Sequence, residues 1–160
     1  MRNHLFDLWG VRTVNTAGNR TCVANVCALL LNRFEGDQFW NARTIQDEFG
    51  ELIVNGKSKV QTTHGALCYI EEATGRRRSK TSAHFQECRA IGDYAIFFGE
   101  PGGHVIYAVI EPGNVVSVLD GNVGRGWESW AEFLAYAATN ESLYTKYPER
   151  INRAYRLVEE

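Results

Sequence analysis

The 160-residue chain is short of several things, and each shortage closes off a class of protein. Its 3 prolines form no Pro-rich stretch, and no low-complexity tract or internal repeat divides it into linked pieces. No apolar run approaches the roughly 20 residues that span a bilayer, so no membrane partner is expected. The opening MRNHLFDLWGVR is broken by Asp7 and Arg12 and lacks the apolar centre of a signal peptide. Positive charge is also scarce. A net charge of -2 gives no overall field to attract phosphates, so nucleic acid is not an expected partner. The local cluster Arg76, Arg77, Arg78 and Lys80 reads as a solvated loop after a helix, with contact to an acidic partner as the alternative. The 4 cysteines (Cys22, Cys27, Cys68, Cys88) contain no CxxC pair, which argues against a zinc cage and for a reduced, cytoplasmic-type protein. His4, His64 and His84 read as surface or capping residues without metal-ligand companions. Neither a metal nor an organic cofactor is called for.

What is present is ordinary globular composition, 44% hydrophobic and 22% charged, enough for one domain over residues 1–160 with a single core. The first 20 residues read as irregular. From Thr21 to Phe34, Val23, Val26, Cys27, Leu30 and Phe34 recur at helical spacing, and Gly36 terminates the run. Cys27 and Cys68 sit inside apolar periodic segments and read as small core residues. A second helix is expected over Ala42–Phe49, ended by Gly50, and a third from Thr63, as N-cap, to Thr74, ended by Gly75.

After Glu87 the period changes. YAIFF (94–98), HVIYAVI (104–110) and VVSVL (115–119) are short runs of aromatic and β-branched residues, the mark of buried strands. Ser129 and Glu132 open a helix through WAEFLAYAA, and AYRLV adds a last strand. Helices followed by a meander of strands predict an α+β domain, with N-terminal helices packed on an antiparallel sheet.

Three residues could carry chemistry. Cys22 lies in the first turn of an apolar helix, where free N–H groups and the helix dipole favour a thiolate. His104 follows Gly102-Gly103 at the start of a strand, where glycines let backbone approach closely. Asp120 ends the next strand. If Ile110 pairs with Asn114 across a Glu111-Pro112-Gly113 loop, His104 stands directly opposite Asp120 on the same face. A carboxylate there would orient the imidazole, and the imidazole would face a nucleophile. The four tryptophans read as core residues, with Trp127 also placed to line a cleft near Asp120.

The motifs TCVANVCALLLNRFEG (21–36), GDYAIFFGEPGGHVIYAVI (92–110) and GNVVSVLDGNVGRGWESWAEF (113–133) resemble those of papain-like cysteine peptidases. The resemblance covers about half the chain and lies in the order Cys, strand-start His, strand-end Asp. It is nearest to bacterial papain-fold toxins and effectors, and to bacteriocin-leader peptidases. It implies a papain-like fold, with Cys22 as nucleophile, His104 as base then acid, and Asp120 as orienting group. Thr16 stands where such enzymes carry an oxyanion-stabilising Gln, which leaves Asn15, Asn19 or the Cys22 N–H for that task. Asn122 matches a polar residue that papain-fold toxins carry two positions after the acid. The implied activity is hydrolysis of a peptide bond or a Gln/Asn side-chain amide in a protein or peptide substrate. Delivery into a target cell and a cognate inhibitor or immunity protein belong to the same picture. A peptidoglycan amidase or endopeptidase on the same triad, and a non-catalytic module retaining the fold, stand as alternatives.

Overall fold

Helix α2 (Cys22–Phe34) is the element around which the chain is arranged, in a computed structural model that describes residues 3–16, 21–35, 38–99, 103–140 and 152–159. Gly36, Gly102 and Asn19 lie outside the described residues. Val23 to Leu31 are all buried, so α2 is enclosed all round rather than along one stripe. Phe34, expected on the buried face, is 50% exposed and lies beneath the guanidinium groups of Arg33 and Arg76. Around α2 pack α3 (Ala42–Phe49) and α4 (Thr63–Thr74), at the expected bounds. Asn41 and Thr44 form a reciprocal capping box at the start of α3, and Gly75, with φ at 72°, closes α4. The α4 cap is Thr62, one residue earlier than expected, its side chain accepting from the Gly65 N–H. A short hairpin, β1 (Ile53–Val54) and β2 (Lys57–Ser58), joins α3 to α4.

The strands β3 (Arg77–Ala83), β4 (Gly92–Phe98), β5 (His104–Glu111), β6 (Val115–Asp120), β7 (Arg125–Trp127) and β8 (Asn152–Val158) form one sheet. Its order is β3-β8-β4-β5-β6-β7, and neighbours pair antiparallel throughout. The expected α+β class, helices with an antiparallel sheet, is therefore what the chain adopts. Both faces of the central strands are covered, which is why β4 and β5 read as unbroken apolar runs. Ala95, Phe97, Val105, Tyr107 and Leu119 face the N-terminal helices. Ile96, Phe98, Ile106, Ala108 and Val118 face α5 (Trp130–Ala138). Phe133 of α5 is fully buried against Trp127 and Phe98, and truncating such a side chain costs about 3–5 kcal/mol.

Several expectations give way here. Residues 3–8 are not irregular but a helix, α1 (Asn3–Leu8), held because Phe6 packs against Gly126 of β7. The basic run is not a solvated loop: it enters edge strand β3, where Arg78 pairs with Glu71 and Arg76 with Asp93 and Glu159. Its alternating charges suit an edge that must not recruit another strand. The expected last strand does form, as β8, and it inserts between β3 and β4. Cys68 is exposed, not core, because the buried face of α4 is Ala66, Leu67, Ile70 and Ala73. It lies 3.5 Å from His64 Nε2, so His64 does have a cysteine companion one helical turn away. Among the described residues no group of three or more His, Cys, Asp or Glu side chains is arranged to hold a metal ion, and no helix is long and apolar enough to cross a membrane.

Candidate functional site

The N-terminus of α2, the start of β5 and the end of β6 meet at one end of the sheet. Cys22 is the first residue of α2 and is half-buried. Thr21 occupies the cap position without capping; its hydroxyl is directed at Asn15 Oδ1, 3.3 Å away. The thiol thus sits at the positive end of the helix, where a thiolate gains from the dipole. Gly103 precedes His104 for a steric reason: a Cβ there would run into the carbonyl oxygen of Phe98.

His104 and Asp120 are joined, but not by the expected register. Glu111 pairs with Val115 and Tyr107 with Leu119, so the three-residue loop is Pro112-Gly113-Asn114, one position later than expected. The reason is backbone conformation. Gly113 and Asn114 both adopt positive φ (83° and 58°), which a turn accepts and a strand does not. Continuing that register sets Asp120 opposite Ile106, diagonal to His104. The offset is two residues, so both side chains stay on one face. Asp120 Oδ2 lies 2.6 Å from His104 Nε2, and Oδ1 accepts the Asn122 N–H at 2.8 Å.

This pair is almost dry: His104 is 8% exposed and Asp120 2%. Burial alone would drive the imidazole toward neutrality. The Asp120 charge and hydrogen bond, and a hydrogen bond with Cys22, outweigh it and push His104 from its ordinary 6.5 up to about 10. Since Asp120 occupies Nε2, the nitrogen left for the thiol is Nδ1. The Asp120 charge thus favours the protonated ring between a carboxylate and a sulfur, and a positive ring beside a thiol is an arrangement that favours nucleophilic sulfur. Cys27 differs in every respect. It is fully enclosed in the core, and burial pushes its thiol well above the ordinary range.

A cavity of about 140 Å³ opens beside Cys22 and His104, room for about one side chain. Val23, Val60, Ala66, Phe97 and Val105 form its apolar wall, and Ser58, Gln61, Thr62 and Thr63 a more polar one. Among the described residues, no charged side chain other than His104 lines it. Trp127 does not line this cleft; it packs against Phe133 and Tyr136 on the far face of the sheet.

The structure thus brings Cys22, His104, Asp120 and Asn122 together. Asn15 lies alongside through its bonds to Thr21 and Asn25. Asn25 was missed by sequence reasoning. Its signal was a lone amide in the otherwise apolar run VANVCALLL, one helical turn beyond Cys22. Its amide nitrogen donates to Asn122 Oδ1 at 2.8 Å. No family model and no curated protein matches the chain.

Proposed function

We propose that the chain is a papain-like cysteine hydrolase that cleaves an amide, either a peptide bond or a Gln/Asn side chain, in a protein or peptide substrate. The observation that carries this reading is the buried His104, bonded on one side to Asp120 and on the other to the Cys22 thiol at a helix N-terminus. In the reaction, the Cys22 thiolate attacks the amide carbon. The developing oxyanion is held by the Cys22 N–H, with the Asn15 side-chain amide as second donor. His104 gives its proton to the departing amine or ammonia, leaving a thioester on Cys22. His104, now neutral, takes a proton from water, which attacks the thioester and releases the acid. Asp120 holds the ring in place through Nε2 and stabilises its charge throughout.

The likeness to bacterial papain-fold toxins makes a delivered toxin or effector, neutralised by a cognate inhibitor, the biological role this reading favours. The test compares the parent protein with Cys22→Ala for growth arrest on expression and for release of amine or ammonia from candidate proteins. Activity in both readouts that disappears with Cys22 is expected; equal activity in the variant would end the proposal. Release of fragments from purified peptidoglycan, with proteins untouched, would instead move the same triad to cell-wall hydrolysis.

A further inference from the structure

Asn25 is an uncommon residue for its place. It is 1% exposed, inside the most enclosed helix of the molecule, where a side-chain amide costs free energy unless its polar atoms are used. Its Nδ2 is used twice: toward Asn122 Oδ1 at 2.8 Å and toward Asn15 Oδ1 at 3.3 Å. Among the described residues its Oδ1 finds no partner. The loop after Asp120 is pressed against it. A Cβ on Gly121 would come within 3.0 Å of Asn25 Cβ and 2.7 Å of Val14, so only glycine allows this approach.

A continuous chain of contacts follows. Asn25 Nδ2 holds Asn122; the Asn122 N–H holds Asp120 Oδ1; Asp120 Oδ2 holds His104 Nε2. The chain begins on the same helix that carries Cys22, one turn away. We infer that Asn25 is a positioning residue for the proposed hydrolase. It locks the acid-bearing loop to the nucleophile helix, so that Asp120 is fixed against His104, and through Asn15 it also fixes the second oxyanion donor. This rests on the reading of Cys22, His104 and Asp120 given above.

The test follows the His104 ring by NMR titration, alongside the rate of p-nitrophenyl acetate hydrolysis, in the parent, Asn25→Leu, Asn25→Asp and Asn122→Ala. In the parent the His104 midpoint is expected near 10. In Asn25→Leu and Asn122→Ala it should fall by about one pH unit, which is a tenfold change in proton affinity. Asn25→Asp retains the shape but presents an acceptor to Asn122 Oδ1; its added negative charge works against a fall in the midpoint, so it is read by ester hydrolysis, which should drop. Ester hydrolysis should drop more in the Asn25 variants than in Asn122→Ala, because only they release Asn15. A merely structural Asn25 would lower the melting temperature and leave the His104 midpoint where it was, which would overturn the inference. Asn122→Ala removes the same link without opening the helix, so it decides the matter even if the Asn25 variants fail to fold. A parent His104 that titrates near its ordinary 6.5 would overturn the hydrolase reading itself; a raised parent value unmoved by every variant would overturn only the role of Asn25.

Discussion

Two carboxylates are buried at opposite ends of α2, and they are used in opposite ways. At the C-terminal end, Asp93 is 3% exposed and bonded by Arg33 at 2.9 Å, by Arg76 at 3.5 Å and by the Tyr107 hydroxyl. Its main partners are guanidiniums, which do not release a proton near neutral pH, and burial raises Tyr107 further out of reach. At the N-terminal end, Asp120 is equally buried, but its partner His104 can gain and lose a proton beside a thiol and an open cavity. Burial of a carboxylate therefore does not mark a site. What separates the two ends is a partner able to move a proton beside a nucleophile.

Substitutions at the two ends should separate cleanly. The largest expected effect is on activity: Cys22→Ala or His104→Ala should lower turnover on the order of 10⁶-fold, as removing a nucleophile or its base does. Cys22→Ala should do so with little change in urea midpoint, whereas His104→Ala also strands the buried Asp120 and should lower it. Next is Asp93→Ala, which strands Arg33 and should cost about 3–5 kcal/mol in urea unfolding. Alkylation of Cys22 in the folded protein should be unchanged by it. A loss of Cys22 reactivity in Asp93→Ala would dissolve the distinction between the ends.

The third effect is pH dependence. His104 is raised in the folded state, so its contribution to stability is complete below its ordinary 6.5 and is lost as pH rises through about 10. Between those values stability should fall by up to about 1.4 kcal/mol per pH unit. In Asp120→Asn that slope should flatten, while in an Asp93 variant it should persist. Smallest is Cys27→Ala. Loss of one buried sulfur should cost about 1–2 kcal/mol and leave activity intact, since Cys27 meets only core.

The two ends were not equally legible in the sequence. Helix bounds were plain because caps and stop residues are local chemistry: Ser129 does accept from the Glu132 N–H, and Gly50 and Gly75 do end their helices. The central strands were plain because enclosure on both faces leaves unbroken apolar runs. Edge strand β3 was not, since its alternating Arg, Ser, Lys and Thr look like a loop until β8 is laid beside it. The same applies to the end held by Asp93: nothing local joins Arg33, Arg76 and Tyr107, which only the sheet order brings together. The face shared by His104 and Asp120 was legible although their register was not. The turn slid by one residue because Asn114 tolerates positive φ, and a two-residue offset across a hairpin keeps both side chains on one side. Asn25 was hidden by its surroundings, a polar residue read as part of an apolar helix.

The central claim is that His104 activates the Cys22 sulfur as a nucleophile, and iodoacetamide tests it most directly. At pH 6 an ordinary thiol, with a pKa near 8.5, is almost wholly protonated and alkylates slowly. Mass mapping of the native protein at that pH should show Cys22 modified much faster than the same residue in urea-unfolded chain. In His104→Ala the advantage should vanish. A native Cys22 that reacts no faster than the unfolded one, or keeps its rate without His104, would contradict the account.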